Sequence, residues 1–205
     1  MSSPQTARKI ALIGGSGSVG SHILDALLAS GKHSITILTR TDSTSKFPPN
    51  VAVEQVDYAS DESIKSALSG QDFLIITLPG TAPADLHPRI LQAAAAVGVR
   101  YIMPNYFGYA LASDRPNQPL PNPMFNFERH VDDVRAVASH GVKFVTLACG
   151  FWYEWSLGMS EAWYGFDISG RKVTFYDDGL KKINTSTWKL CGEAVAKVLS
   201  GDLTP

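Results

Sequence analysis

The chain has 205 residues, 44% of them hydrophobic, with 18 basic against 19 acidic side chains and a formal net charge of −1. Such a chain can bury roughly 70% of its unfolded surface, which excludes intrinsic disorder, collagen-like sequence and a miniprotein that depends on disulfides or metal. The near-zero charge offers no electrostatic footprint for duplex nucleic acid or an anionic membrane, and no apolar run reaches the roughly 18 residues of a spanning helix.

Residues 10–13 form a continuous apolar run closed by glycines, the pattern of a strand buried on both faces. Val19, Ile23, Leu24, Leu27 and Leu28 then recur at helical spacing, predicting a helix over 19–29 that ends at Gly31. Strands follow at 34–39 and 51–56, and Ser60 or Asp61 caps a helix through Leu68. A third buried-strand signal at 73–78 precedes an Ala-rich helix over 88–97 and a strand over 99–103. A helix at 127–139 and a strand at 142–147 complete the rhythm. This alternation predicts an α/β fold, a doubly wound parallel sheet of the Rossmann type, over residues 1–150. The stretch 106–124 interrupts it with Pro116, Pro119, Pro121 and Pro123, and a loop that long usually carries function.

Beyond Gly150 the pattern loosens. Residues 151–166 are rich in aromatics, 172–176 (KVTFY) read as a strand, Asp178-Gly179 as a turn and 187–199 as a last helix. Residues 151–205 are expected to form a small, partial substrate-binding lobe packed on the first domain. The aromatic stretch either lines a hydrophobic pocket or packs as core. Cys149 and Cys191 form no CxxC pair and are expected as buried free thiols. Arg8 and Lys9 precede the apolar run 10–13, but that run is far too short for the apolar region of a signal peptide, so the expectation is a soluble, cytoplasmic protein. The five histidines, His22, His33, His87, His130 and His140, include no pair at three- or four-residue spacing, so no metal site is expected.

The strongest motif is Gly14-Gly15-Ser16-Gly17-Ser18-Val19-Gly20, with glycines at 14, 17 and 20. It follows a buried strand and opens a helix, the context in which a glycine turn lets a pyrophosphate approach backbone N–H groups at a helix N-terminus. No Lys-Ser/Thr follows the last glycine, so a nucleoside-triphosphate loop is excluded. At the end of the second strand stands Arg40, where a reader of a ribose 2′-hydroxyl would be acidic; an arginine suits a 2′-phosphate, with Lys46 as a second positive charge. That pattern favours NADP(H) over NAD(H), with Asp42 as the rival reader of a hydroxyl. Asp57 ends the third strand, either to accept from an adenine amino group or to cap the next helix. Thr77 and Leu78 end the fourth, where a doubly wound sheet holds its ligand.

These residues resemble the NmrA-like and isoflavone-reductase-like proteins, an atypical branch of the short-chain dehydrogenases. The similar pieces are the glycine loop, Thr39-Arg40, Lys46 before Pro48, VDYASDESIKSALSG (56–70), AAAAVGVRYIMPNYFG (93–108) and GVKFVTLACGFWYEW (141–155), and together they cover nearly the whole chain. The resemblance implies a Rossmann domain with a smaller C-terminal substrate lobe, here C-terminally shortened, and NADP(H) as cofactor. It also implies either a reductase of small, aromatic or polyketide-like molecules or a redox-sensing regulator that binds a partner protein. Gly14, Gly17 and Gly20 match the family loop, Arg40 and Lys46 its phosphate grip, and Phe151 the aromatic that packs near the nicotinamide. Asn105 stands where the family has the Ser of "PSEFG", and Tyr106 where it has the Glu.

One departure bears on mechanism. The family's reductases carry a lysine at the start of the helix after the variable loop, where this chain reads Phe127-Glu128-Arg129-His130-Val131. No Tyr-x-x-x-Lys occurs either. Arginine is a poor proton donor because its pKa is too high, whereas histidine titrates near neutrality. His130 is therefore the first candidate for the proton donor and Tyr106 the second.

Overall fold

The computed structural model describes residues 7–108, 129–201 and 203. The sheet is built from β1 (Lys9–Ile13), β2 (Ser34–Arg40), β3 (Ala52–Val56), β4 (Phe73–Ile76), β5 (Tyr101–Met103) and β6 (Lys143–Phe144). Its strand order is β3-β2-β1-β4-β5-β6, and every pairing is parallel. The helices between them are α1 (Ser18–Ser30), α2 (Asp61–Leu68), α3 (Leu86–Ala96) and α4 (Arg129–Val137). Chain order and spatial order reverse between β1 and β4, and that switch point is where a doubly wound sheet opens a crevice.

Period-two alternation sends the apolar strands into two cores. Ala11, Ile13, Leu74 and Ile76 pack with Ile64, Leu68, Ile90, Leu91 and Val134 under α2, α3 and α4. Ile10, Leu12, Phe73 and Ile75 point the other way, onto Ile23, Leu24 and Leu27 of α1. A strand covered on both faces can be apolar throughout, which is why these runs were continuous in the sequence.

The second core is completed from the far end of the chain. Helix α7 (Trp188–Leu199) places Cys191, Val195, Ala196 and Leu199 in it beside α1. Contact between the helices is close because residue 192 is a glycine: a Cβ there would lie 2.2 Å from the His22 carbonyl oxygen. Arg8, just before β1, donates to the Leu199 carbonyl at 3.3 Å and to that of Gly201 at 3.1 Å, a cation against the C-terminal end of α7. Residues 188–199 thus share a core with the sheet, although a division at residue 150 sets them in the smaller lobe.

Between Gly150 and α7 lie short elements: β7 (Phe151–Trp152), α5 (Tyr153–Met159), α6 (Glu161–Tyr164), β8 (Phe166–Asp167), β9 (Lys172–Val173) and β10 (Thr185–Ser186). The strand expected over 172–176 is reduced to the two residues of β9, paired antiparallel with β8. The strand expected over 142–147 is reduced to β6, which at the sheet edge has β5 as its one partner. The expected helix at 127–139 is seen from Arg129 and closes in a 3-10 turn at Ala138–His140. Its first two residues, and residues 109–124 of the proline-rich loop, lie outside the described residues. Both cysteines are buried and free, and no helix among the described residues is long and apolar enough to cross a membrane.

Candidate functional site

A cleft of about 880 Å³ opens at the carboxyl ends of β1, β2, β4 and β5. Its floor is the turn from β1 into α1. Gly14 has φ +79°, and a Cβ there would lie 2.1 Å from the Thr77 carbonyl oxygen. At Gly20 a Cβ would lie 2.2 Å from the Gly14 carbonyl oxygen, so the first turn of α1 can close onto the strand end. Gly15 is different: its missing side chain accommodates Ile37, at 2.9 Å, and it does not line the cleft.

Helix α1 begins without a side-chain cap at Gly17 and without an acidic residue in its first turn. Its leading N–H groups, around Ser18, Val19 and Gly20, border the cleft with Ser16. Uncapped N–H groups and the helix dipole, equivalent to about half a positive charge, make this a site for an anion.

Arg40 lines the same cleft at the end of β2. Its Nε lies 3.3 Å from Asp42 Oδ1, and the side chains are 72% and 73% exposed. The two rival readers of the ribose are therefore paired with each other. An ion pair this exposed is worth about 0–1 kcal/mol, so the guanidinium can turn to a stronger anion at little cost. The chain then folds back so that the Ser45 hydroxyl donates to Ser16 Oγ at 3.1 Å, and Ser43 and Ser45 both line the cleft. The sequence reading passed over these two hydroxyls. The signal was there, in the run Thr41-Asp42-Ser43-Thr44-Ser45 directly after Arg40.

Lys46 is exposed and is not among the lining residues. Asp57 is also off the cleft: its Oδ1 accepts from the Ala59 N–H at 2.9 Å, a local turn leading into α2. Ser60 caps that helix by accepting from the Ser63 N–H. Tyr58, missed in the sequence, borders the cleft and donates to the Leu38 carbonyl at 3.2 Å. Burial pushes its pKa well up, so it stays a phenol.

On the other wall Thr77, Leu78, Asn105, Tyr106 and Phe151 line the cleft. Thr77 donates to the Ile13 carbonyl at 2.7 Å, and Asn105 Nδ2 to the Leu78 carbonyl at 3.0 Å. The aromatic stretch divides: Phe151, Trp152 and Trp155 face the cleft, whereas Trp163 packs edge-on behind Trp155, ring centroids 4.5 Å apart. Trp152 also packs against the second core.

His130 sits behind this wall. It is buried, is not a lining residue, and its Nδ1 lies 2.9 Å from the Asn105 carbonyl oxygen. Its ring lies against that of His87, centroids 4.2 Å apart. Burial holds His130 below its ordinary pKa and lowers His87 to about 4, with the two imidazoles also opposing each other's charge at His87. Both rings are neutral at pH 7.

The strand order, the glycine turn and the open N-terminus of α1 together define a Rossmann dinucleotide-binding domain. A profile of the family described as NAD(P)H-binding matches residues 14–154, and the chain belongs to that family. Two fungal proteins are similar to it. The oxidoreductase aprR of Aspergillus flavus is 29% identical over 193 residues, 93% of this chain and 63% of that protein. The oxidoreductase poxI of Penicillium oxalicum is 29% identical over 188 residues, 90% of this chain and 58% of that protein. The chain thus spans about three-fifths of the length of these relatives.

Among solved structures, isoflavone reductase superposes with a TM-score of 0.74 at 21% identity, covering 95% of this chain and 66% of that one. AtPrR2, solved with NADP+ and (+)-pinoresinol, gives 0.74 at 18% identity with the same coverage. The Citrobacter triphenylmethane reductase complexed with NADP(H) gives 0.69 at 22%, again covering 95% and 66%. At these identities the likeness is one of fold, shared over about two thirds of those chains' lengths.

Proposed function

We propose that the chain binds NADPH and serves as a reductase, directing hydride to a carbonyl or conjugated double bond of a small aromatic or polyketide-like molecule. The observation that carries this reading is the uncapped N-terminus of α1 opening on the same cleft as Arg40. The glycine turn fits the group: side chains at 14 and 20 would strike the Thr77 and Gly14 carbonyls and hold the first turn of α1 off the strand end, where its N–H groups must meet a pyrophosphate. In this reading Ser16 and the amides from Ser18 to Gly20 hold the pyrophosphate. Arg40, with Ser43 and Ser45, holds the 2′-phosphate. Lys46 and Asp57, off the cleft, take no part. Bound nicotinamide would supply the hydride. Phe151, Trp152 and Trp155 give an apolar wall for an aromatic substrate and exclude water from it. Tyr106, a lining residue, is assigned the proton, and His130 is not. The relatives' names support the reading, as do the neighbours solved with NADP.

A second reading is favoured by the missing lysine at the start of α4: a non-catalytic NADP-binding regulator that recognises a partner protein. Residues 151–187 are proposed as the part of a substrate lobe present in this chain, in either case.

Titration with NADPH and NADH, followed by NADPH consumption against a panel of aryl ketones and enones, separates these readings. Wild type is expected to prefer NADPH. Arg40→Ala should weaken NADPH about 10–100-fold, the range for a lost charge-assisted contact, and leave NADH within about 3-fold. Tighter NADH binding by wild type would overturn the cofactor choice. Tight NADPH binding without turnover of any panel member would favour the regulator.

A further inference from the structure

Asn105 is the one cleft-lining residue, among those described, whose backbone N–H and C=O are both held by histidine side chains. Its N–H donates to His87 Nε2 at 3.4 Å, and its carbonyl accepts from His130 Nδ1 at 2.9 Å. These contacts dictate the tautomers. His87 accepts at Nε2, so its proton is on Nδ1, which donates to Asp133 Oδ2 at 2.7 Å. His130 must carry its proton on Nδ1 to donate to a carbonyl. The rings come from different helices, α3 and α4, and meet behind the wall.

The wall they hold is linked to the glycine loop. The Asn105 side chain donates to the Leu78 carbonyl, and its neighbour Thr77 donates to the Ile13 carbonyl at the end of β1. Thr77 is also the residue against which Gly14 and Gly20 close. A continuous series of hydrogen bonds and contacts therefore runs from Asp133 through both imidazoles and Asn105 to the turn that opens α1.

We propose that His87 and His130 form a two-imidazole clamp on the Asn105 backbone that fixes the cleft wall facing the glycine loop. His130 is then a positioning residue that reaches the cofactor site through Asn105. Asp133 sets the His87 tautomer the clamp requires. Arg129 and Asp133 are the charged groups acting on the pair. The inference rests on the cofactor reading for its effect on binding, but not for the clamp itself.

The test has two readouts: hydrogen exchange of the Asn105 amide in the cofactor-free protein, and the Kd for NADP+. The variants are His87→Leu, His130→Leu and His130→Asn, whose amide can donate in place of Nδ1–H. His87→Leu should speed exchange of the Asn105 amide at least about 10-fold while amides of β1 stay protected, which shows that the fold is intact. His130→Leu should weaken NADP+ about 10-fold, and His130→Asn should recover binding to within about 3-fold of wild type. Unchanged Asn105 exchange in His87→Leu overturns the clamp. So does His130→Asn binding as weakly as His130→Leu, since a donor at that point would then not matter. If wild type binds no dinucleotide, the cofactor reading fails, and the exchange result alone decides the clamp.

Discussion

The parallel sheet and the segment from residue 151 to 187 are both rich in apolar residues, yet they use them oppositely. In the sheet, Ile10, Leu12, Phe73 and Ile75 are fully buried. In the segment, Ile168, Phe175 and Leu180 are 67%, 76% and 79% exposed. The strands that carry the buried four, β1 and β4, are paired on both sides and covered by helices on both faces. The strands β8 and β9 are two residues each, tied by one antiparallel pairing. Around them the contacts are polar: Lys172 reaches Glu161 Oε1 at 2.8 Å, and the Thr174 hydroxyl donates to the same carboxylate. Exposed ion pairs of this kind are worth about 0–1 kcal/mol. An apolar residue drives folding only where the topology gives it something to be buried against.

Helix α7 sharpens that contrast, because it follows the segment in sequence but belongs to the sheet in packing. Gly192→Leu is the largest effect we expect. Its side chain would start 2.2 Å from the His22 carbonyl and force α7 off α1. Overpacking of this kind costs about 1–3 kcal/mol, and here it opens part of the second core as well. The melting temperature should fall by roughly 4–10 °C for a chain of this size. A melting temperature within about 1 °C of wild type would mean that α7 is not integral to the sheet domain in solution.

Acid should probe the same comparison from the other side of the sheet. His87 titrates near 4 in the fold against an ordinary 6.5, chiefly because it is buried, and His130 is lowered for the same reason. As pH falls below 6.5 the unfolded chain takes up protons that the folded chain refuses, so stability is full above 6.5 and declines toward pH 4. It levels off there as His87 itself protonates. Urea midpoints at pH 7, 5.5 and 4.5 should fall in that order, and His87→Asn should flatten the decline. A midpoint that rises on acidification would mean that the imidazoles are charged in the fold, and the tautomers assigned above would be wrong.

The parts of this arrangement legible in the sequence are those set by neighbours along the chain. Residues 10–13 announce a covered strand, and glycines at 14, 17 and 20 after it announce the turn, because each depends on local periodicity and backbone freedom. Arg40 could be placed by counting along a strand–helix–strand unit. The histidine pair could not. His87 and His130 stand on two helices, and a search for spacing of three or four residues sees one helix at a time. The same limit hid the purpose of Gly192, whose reason lies in a carbonyl of α1. Lys46 and Asp57 lie off the cleft for a different reason: being near it in sequence says nothing about which way a loop side chain faces. Ser43 and Ser45 carried a readable signal, a hydroxyl run after a basic strand end.

The smallest expected effect is the most direct test of the opening contrast. Leu180 is 79% exposed, and its backbone N–H donates to Asp178 Oδ1 at 3.0 Å in a turn that does not use the side chain. Leu180→Ser therefore removes no buried surface and leaves the turn its hydrogen bond. Surface changes of this kind fall within about 0.5 kcal/mol, so the urea midpoint should not move measurably, in contrast to Gly192→Leu only twelve residues away in the chain. A loss of more than about 1 kcal/mol would require the Leu180 side chain to be covered in solution. Concentration dependence of that loss would then distinguish cover by a second copy, which mass action makes stronger at high protein concentration, from cover within one chain, which it does not.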